Sequence, residues 1–152
     1  MGKEIERKYL IKGEGWRDAE AVYYCQGYLA RKPDATVRVR VAGNEGFLTI
    51  KGAPLGMSRD EWEYSIPVGE AEEMMNLCRT PLIIKNRRKI ESGGFLWEVD
   101  EFLGDNEGLI LAEIELKSEE QVFSVPEWIG EEVTGDARYY NSNLSENPYK
   151  NW

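Results

Sequence analysis

Charged residues recur along this chain at two-residue spacing. Glu4, Glu6 and Lys8 occupy alternate positions, as do Arg38 and Arg40, Glu61 and Glu63, Lys85 and Arg87, and Glu113 and Glu115; Lys51 follows Leu48-Thr49-Ile50. Alternate side chains of an extended strand share one face, about 6.6 Å apart. Each set therefore presents its charges on one side of its strand. Carboxylates converging from several strands make an all-oxygen site suited to Mg²⁺ or Mn²⁺ and not to a soft metal. Arginine and lysine opposite them suit phosphate oxygens, arginine by its planar fork and lysine as a point charge. A ligand that satisfies both arrays is itself polyanionic and metal-binding. Triphosphate with magnesium is the natural candidate.

The elements that must position these side chains read mostly as strands. Period-two alternation runs over 3–11, 24–30, 36–42, 46–51, 59–67, 82–90, 95–102 and 109–116, with glycine-rich or proline-rich turn signals between nearly all of them. A helix is expected over Glu70–Arg79, stopped before Pro81, with a helical turn after Trp16 and a C-terminal helix over Ala137–Leu144 capped by Asp136. The expected fold class is α+β dominated by β: an eight-stranded antiparallel barrel with a few helices packed outside, one domain over 1–152. Antiparallel sheets often leave one side wet. The charged faces here carry almost no Ser, Thr, Asn or Gln, however, and the opposite faces hold Trp62, Trp97 and many valines. An inverted barrel, charged inside, accounts for both. An eight-stranded barrel is just wide enough for side chains or one small ligand. Twelve charges inside it are tolerable only if paired with one another or with a ligand.

Composition narrows the chemistry. The 152 residues carry a net charge of −9 and no histidine. Histidine bases, histidine metal ligands and Ser-His-Asp or Cys-His catalysis are therefore excluded. The acidic balance argues against a nucleic-acid partner, whose phosphates need a basic surface. Apolar runs are too short to span a bilayer, no apolar signal core precedes residue 10, and Cys25 and Cys78 imply no disulfide framework. A cytoplasmic protein is expected, with no membrane partner; a homodimer is left open. Trp16, Trp128 and the two cysteines sit among apolar neighbours and read as packing residues.

Glu4-Ile5-Glu6-Arg7-Lys8 resembles the E-x-E-x-K signature of the CYTH family, the triphosphate tunnel metalloenzymes. Arg38-x-Arg40, Lys51, Glu61-x-Glu63, Lys85-x-Arg87 and Leu111-Ala112-Glu113-Ile114-Glu115 follow in the family's order, and Tyr139-Tyr140-Asn141-Ser142-Asn143-Leu144 is similar to the short bacterial inorganic triphosphatases. The resemblance implies an eight-stranded tunnel acting on triphosphates with Mg²⁺ or Mn²⁺. It implies metal ligation by Glu4, Glu6, Glu61, Glu63, Glu113 and Glu115, and phosphate binding by Lys8, Arg38, Arg40, Lys51, Lys85 and Arg87. Glu4, Glu6, Lys8, Tyr28, Glu63 and Lys85 would carry the catalytic work, with Tyr28 donating a hydrogen bond near the substrate. Asp100 and Arg59 share the tunnel parity, and the segment 136–144 would cover one mouth.

Three activities compete within such a tunnel: hydrolysis of inorganic tripolyphosphate, hydrolysis of thiamine triphosphate or a nucleoside triphosphate, and cyclisation of ATP as in class IV adenylate cyclases. An organic moiety needs an apolar pocket, and the short loops offer little material for one. Inorganic tripolyphosphate, cleaved to pyrophosphate and phosphate, is the favoured reading. A non-catalytic polyphosphate-binding module is the alternative from a different class.

Overall fold

The computed structural model describes residues 2–152. Its strands are β1 (Gly2–Ile11), β2 (Ala21–Lys32), β3 (Ala35–Ala42), β4 (Glu45–Gly52), β5 (Ser58–Ile66), β6 (Ile83–Ser92), β7 (Phe95–Phe102), β8 (Ile110–Glu115) and β9 (Ile129–Glu132). All pairings are antiparallel, in the order β5-β4-β3-β2-β6-β7-β8-β1-β9. A further pairing of β5 with β1 closes the first eight strands into a ring. The expected barrel is present.

Two-residue turns fix much of the register. Ser92 pairs with Phe95 across Gly93-Gly94, whose φ values are 60° and 81°. Two consecutive positive φ values match the right-handed twist of a hairpin, and glycine alone adopts both without strain.

The ring closes through an unusual seam. β1 pairs with β8 from Glu6 to Leu10, while Gly2–Ile5 pair with β5 and Tyr9–Ile11 with β9. A strand has two edges and β8 occupies one, so β5 and β9 share the other in succession. Between them Lys8 N–H donates to Thr134 Oγ1 (2.9 Å) and Val133 N–H to Lys8 O (2.8 Å). The short loop after β9 thus completes the wall beside Lys8.

Apolar side chains seal the outside and one end. Tyr9, Trp97, Val99, Ala112 and Ile114, on the outer faces of β1, β7 and β8, pack with Trp16, Leu116 and Ile129 into one core. A second core holds Ile83, Phe102, Leu109, Leu111, Val133, Tyr139 and Leu144. Ile83, Phe102 and Leu111 lie two positions from Lys85, Asp100 and Glu113, so they share the inward parity. The interior therefore turns apolar at that end, where Tyr139 and Leu144 of the C-terminal segment fill it.

Several boundaries differ from expectation. The helix α1 spans Val68–Met75 and not Glu70–Arg79. It starts at once after Pro67 and loosens after Met75, where Asn76, Leu77 and Cys78 donate to carbonyls three residues back. The expected C-terminal helix is two pieces, a 3₁₀ turn at Ala137–Tyr139 and α2 at Asn141–Leu144, broken by extended Tyr140 (ψ 131°). Asp136 does cap the first piece through Arg138 N–H (3.1 Å). Residues after Gly15 form a turn that buries Trp16. The short strand β9 was not foreseen, because Ile-Gly-Glu-Glu carries no alternation.

Candidate active site

A cavity of about 350 Å³ runs inside the ring. Its wall includes every sequence-singled site residue: Glu4, Glu6 and Lys8 from β1, Tyr28 from β2, Arg38 and Arg40 from β3, Lys51 from β4, Glu61 and Glu63 from β5, Lys85 and Arg87 from β6, and Glu113 and Glu115 from β8. Strand alternation is the cause: each stands on the face opposite its apolar neighbours. Lys8, Arg38, Arg40, Lys85, Arg87, Glu113 and Tyr28 are buried, whereas Glu63 and Glu115 are exposed at the rim.

The charges are segregated. Arg38 and Arg40 of β3 and Lys85 and Arg87 of β6, on either side of β2, make the basic side, with Asp100 of β7 against Lys85 and Arg87. Glu4, Glu6, Glu61, Glu113 and Glu115 line the wall made by β1, β5 and β8, where Lys51 meets Glu4 and Glu61 and Lys8 meets Glu113.

On the basic side Asp100 is the shared anion. It accepts from Lys85 Nζ (2.7 Å) and, in a bidentate pair, from Arg87 Nε (2.7 Å) and Nη2 (2.9 Å). Burial alone would protonate Asp100, but Arg87 and Lys85 outweigh it and hold the carboxyl far below the usual range. Burial also lowers Lys85 to about 7, against the pull of Asp100 and with the help of Arg87 and Arg40. Arg40 is lowered to about 9 by burial and by Arg38 and Arg87.

Among the described residues, Arg38, Arg40 and Arg59 make no ion pair, unlike Lys8, Lys51, Lys85 and Arg87. Arg38 reaches only Thr49 Oγ1 (3.3 Å), and Arg40 Nε donates to Gln26 Oε1 (2.8 Å). The Nε atoms of Arg38 and Arg59 are buried with no acceptor. A buried guanidinium without a carboxylate is costly. The charge of these three is available to an anion.

On the acidic side the carboxylates crowd one another. Glu6 is raised to about 8 by burial first and then by the charges of Glu113 and Glu4. Glu61 is raised to about 7 by burial and Glu4. Glu4 escapes: burial would raise it, but Lys51, 2.9 Å away, holds it below the usual value. Glu113 is likewise drawn down to about 2, where burial is outweighed by Lys8 (3.5 Å) and Arg87 (3.9 Å).

A divalent cation fits this donor set. All the donors are carboxylate oxygens, and for want of positive charge Glu6 stays protonated and Glu61 is only partly ionised at neutral pH. That is the condition a hard cation relieves. Among the described residues no three carboxylates are already gathered as a ligand cluster, because Glu4 and Glu113 are turned to lysine and arginine.

Several wall residues escaped sequence reasoning. Glu98 and Lys89 line the cavity, and Arg87 Nη1 bonds Glu98 (3.2 Å). Glu98 shares the parity of Asp100, a signal that was there to be read. Thr36, Thr49 and Asn141 also line it. Asn141 comes from the irregular C-terminal segment, where no periodicity could have pointed to it.

The chain is similar to known proteins. The chain is 56% identical over 154 residues to an inorganic triphosphatase of Acetivibrio thermocellus, covering 100% of this chain and 99% of that protein. It is 38% identical to an inorganic triphosphatase of Nitrosomonas europaea, covering 93% and 96% respectively. A crystal structure of an inorganic triphosphatase superposes with a TM-score of 0.68 at 36% identity, covering 93% of this chain and 96% of that one. The family model described as the CYTH domain matches residues 2–143. With the ring of eight strands and the inward charges, that match makes the chain a member of the CYTH family.

Proposed function

We propose that the chain is a metal-dependent inorganic triphosphatase, hydrolysing tripolyphosphate to pyrophosphate and orthophosphate with Mg²⁺ or Mn²⁺, and that residues 1–152 act as one unit. The observation that carries this reading is a buried cavity with three arginines lacking any anion beside carboxylates lacking enough cation. A chelated polyphosphate supplies both at once. The high identity to inorganic triphosphatases supports the same substrate class.

In this reading Arg38, Arg40 and Arg59, with Lys8, Lys51, Lys85 and Arg87, grip the phosphate oxygens and oppose the charge that builds on them during in-line displacement. Glu4, Glu6, Glu61, Glu63, Glu113 and Glu115 would hold the metal. When bound, such a cation neutralises the substrate and lowers the pKa of water. With no histidine in the chain, a tunnel glutamate accepts the proton from the attacking water. Tyr28 donates its hydroxyl to a phosphate oxygen. The lining is dominated by charged side chains, and the deep end is filled by apolar residues, so an adenosine or thiamine moiety gains little there. We assign the protein to the cytoplasm, where Cys25 and Cys78 stay reduced thiols; no helix among the described residues is long and apolar enough to cross a membrane.

Product analysis decides the matter. Tripolyphosphate, ATP and thiamine triphosphate are each incubated with the protein, with and without Mg²⁺ or Mn²⁺. Metal-dependent release of orthophosphate and pyrophosphate from tripolyphosphate, at the highest kcat/KM of the three, is expected. Cyclic AMP from ATP, or tight tripolyphosphate binding without turnover, would sink the proposal.

A further inference from the structure

The cations at the deep end of the cavity are joined by amides. Gln26, fully buried on β2, accepts from Arg40 Nε at 2.8 Å and donates through Nε2 to Asn141 Oδ1 at 3.1 Å. The same Asn141 oxygen accepts from Lys85 Nζ at 3.2 Å. The chain Arg40–Gln26–Asn141–Lys85 thus links two cations from different strands without a carboxylate.

Its uncharged character matters. Arg40 makes no ion pair, and Lys85 shares Asp100 with Arg87, which also meets Glu98 (3.2 Å) and Glu113 (3.9 Å), so the positive charge beside Gln26 and Asn141 is only partly compensated. An aspartate at 141 or a glutamate at 26 would have nearly the same shape and better hydrogen bonds to these cations. It would also compensate that positive charge from within the protein. An amide orients the cations and leaves their charge for a ligand.

The C-terminal segment that carries Asn141 is tied to the wall at other points. Lys8 Nζ donates to Tyr139 O at 3.3 Å, and Arg31 at the end of β2 pairs with Glu146 at 3.0 Å. Tyr139 and Leu144 are anchored in the apolar core at the same end. Asn141 is thereby held at a defined height.

We infer that Asn141, through Gln26, is a positioning residue that aims Arg40 and Lys85 at the phosphate chain without neutralising them. The inference rests on the triphosphatase reading for its substrate. The side chain of Asn141 acts through the two cations, and its segment forms part of the substrate-binding wall as well as covering the tunnel end.

The test uses the intact chain and its Asn141→Asp, Asn141→Ala and Gln26→Glu variants. Tripolyphosphate binding is measured by calorimetry without metal, turnover with Mn²⁺, and thermal stability by scanning calorimetry. Asn141→Asp should weaken binding and raise KM by roughly tenfold or more, because a charge is added beside Lys85 in a low-dielectric site. Its melting temperature should stay level or rise, since the new carboxylate pairs with Lys85. Gln26→Glu should likewise weaken tripolyphosphate binding, although its carboxylate cannot donate to Asn141 Oδ1 as the amide does, and it serves if the first variant does not fold. Asn141→Ala should raise KM by a few-fold and leave the melting temperature nearly unchanged. The inference is wrong if Asn141→Asp and Gln26→Glu bind tripolyphosphate like the wild type, or if affinity falls only in step with stability. Wild-type protein that binds tripolyphosphate without cleaving it would defeat the hydrolase reading alone and leave the relay judged by the binding constants. Wild-type protein that does not bind it would defeat both.

Discussion

Replacing Asp100 by asparagine should be among the most damaging isosteric changes available in this protein. The Lys85 and Asp100 side chains are each 1% exposed, and the carboxylate makes three contacts of 2.7–2.9 Å to Lys85 and Arg87. Asparagine keeps the volume but removes the charge and turns an NH₂ donor toward one of those cations. Breaking a buried ion pair from one side costs about 3–5 kcal/mol, because the other charge is stranded. For a chain of this size each kcal/mol lowers Tm by roughly 2–4 °C, so a fall of about 6–20 °C is expected by scanning calorimetry. Tripolyphosphate should then stabilise Asp100→Asn more than it stabilises the wild type, since the polyanion supplies the missing charge next to Arg87. A Tm within a degree or two of wild type would refute the reasoning, for it would mean that water reaches these groups and screens them. An equal shift by tripolyphosphate in both proteins would detach Asp100 from the anion site.

Arg38 and Arg59 lead to a different expectation, because each has a buried Nε with no acceptor. Arg38→Ala should cut kcat/KM for tripolyphosphate by roughly 100–1000-fold while Tm holds or rises; a large drop in Tm would show that Arg38 is structural. The metal-free protein should lose stability as pH rises from 5 to 7. Glu6 and Glu61, raised to about 8 and 7, keep protons that the unfolded chain has released above about pH 4.5, so folding binds protons in this window. The loss, on the order of 2 kcal/mol from Glu6, is measured by urea titration with EDTA, and a flat or rising profile would contradict the crowding. Below this window the sign reverses: Glu113, drawn down to about 2, and Asp100 contribute stability that is present above pH 4.5 and lost as they protonate. Gly46 faces α1 closely, and a Cβ there would stand 2.9 Å from Ile66 O and 3.0 Å from Ala71 Cβ. Gly46→Ala should cost roughly 1–3 kcal/mol in denaturant unfolding, and an unchanged midpoint would show that α1 is free to move away.

The ring of strands and the inward direction of its charges were legible because both depend on parity alone. Once Val37, Val39 and Val41 lie on one face, Arg38 and Arg40 must lie on the other, whatever the partner strands are. Pairing between strands was not legible in the same way. That Lys51 neutralises Glu4 while Arg38 goes unpaired depends on how far the ring is sheared when β5 meets β1, and no single strand carries that information. Rim and depth were hidden for the same reason: Glu113 and Glu115 have equal parity, yet one is buried against Lys8 and the other exposed. The C-terminal segment was legible only as a cover for one mouth. Its turn, its break at Tyr140 and the reach of Asn141 follow from packing of Tyr139 and Leu144, not from any repeat.

Folding and binding make opposite demands on the same charges, and the charge layout of the cavity reconciles them. A fully paired interior would fold well and bind a polyphosphate poorly, because every contact to the ligand would first break one within the protein. A fully unpaired interior would not fold, given the cost of isolated buried charge. The layout divides the cations into three kinds. Lys85 and Arg87 are fixed by a deeply buried Asp100 and keep their places regardless of ligand. Lys8 and Lys51 are held to Glu113 and Glu4 across gaps of 3.5 and 2.9 Å, in pairs on the acidic side of the cavity. A cation and a phosphate chain entering together exchange each such pair for two new ones, charge for charge, so little is lost. Arg38, Arg40 and Arg59 have nothing to exchange, and their interaction with an anion is gained outright. On the proposed function, the binding energy of a polyphosphate would therefore be concentrated on three guanidinium groups.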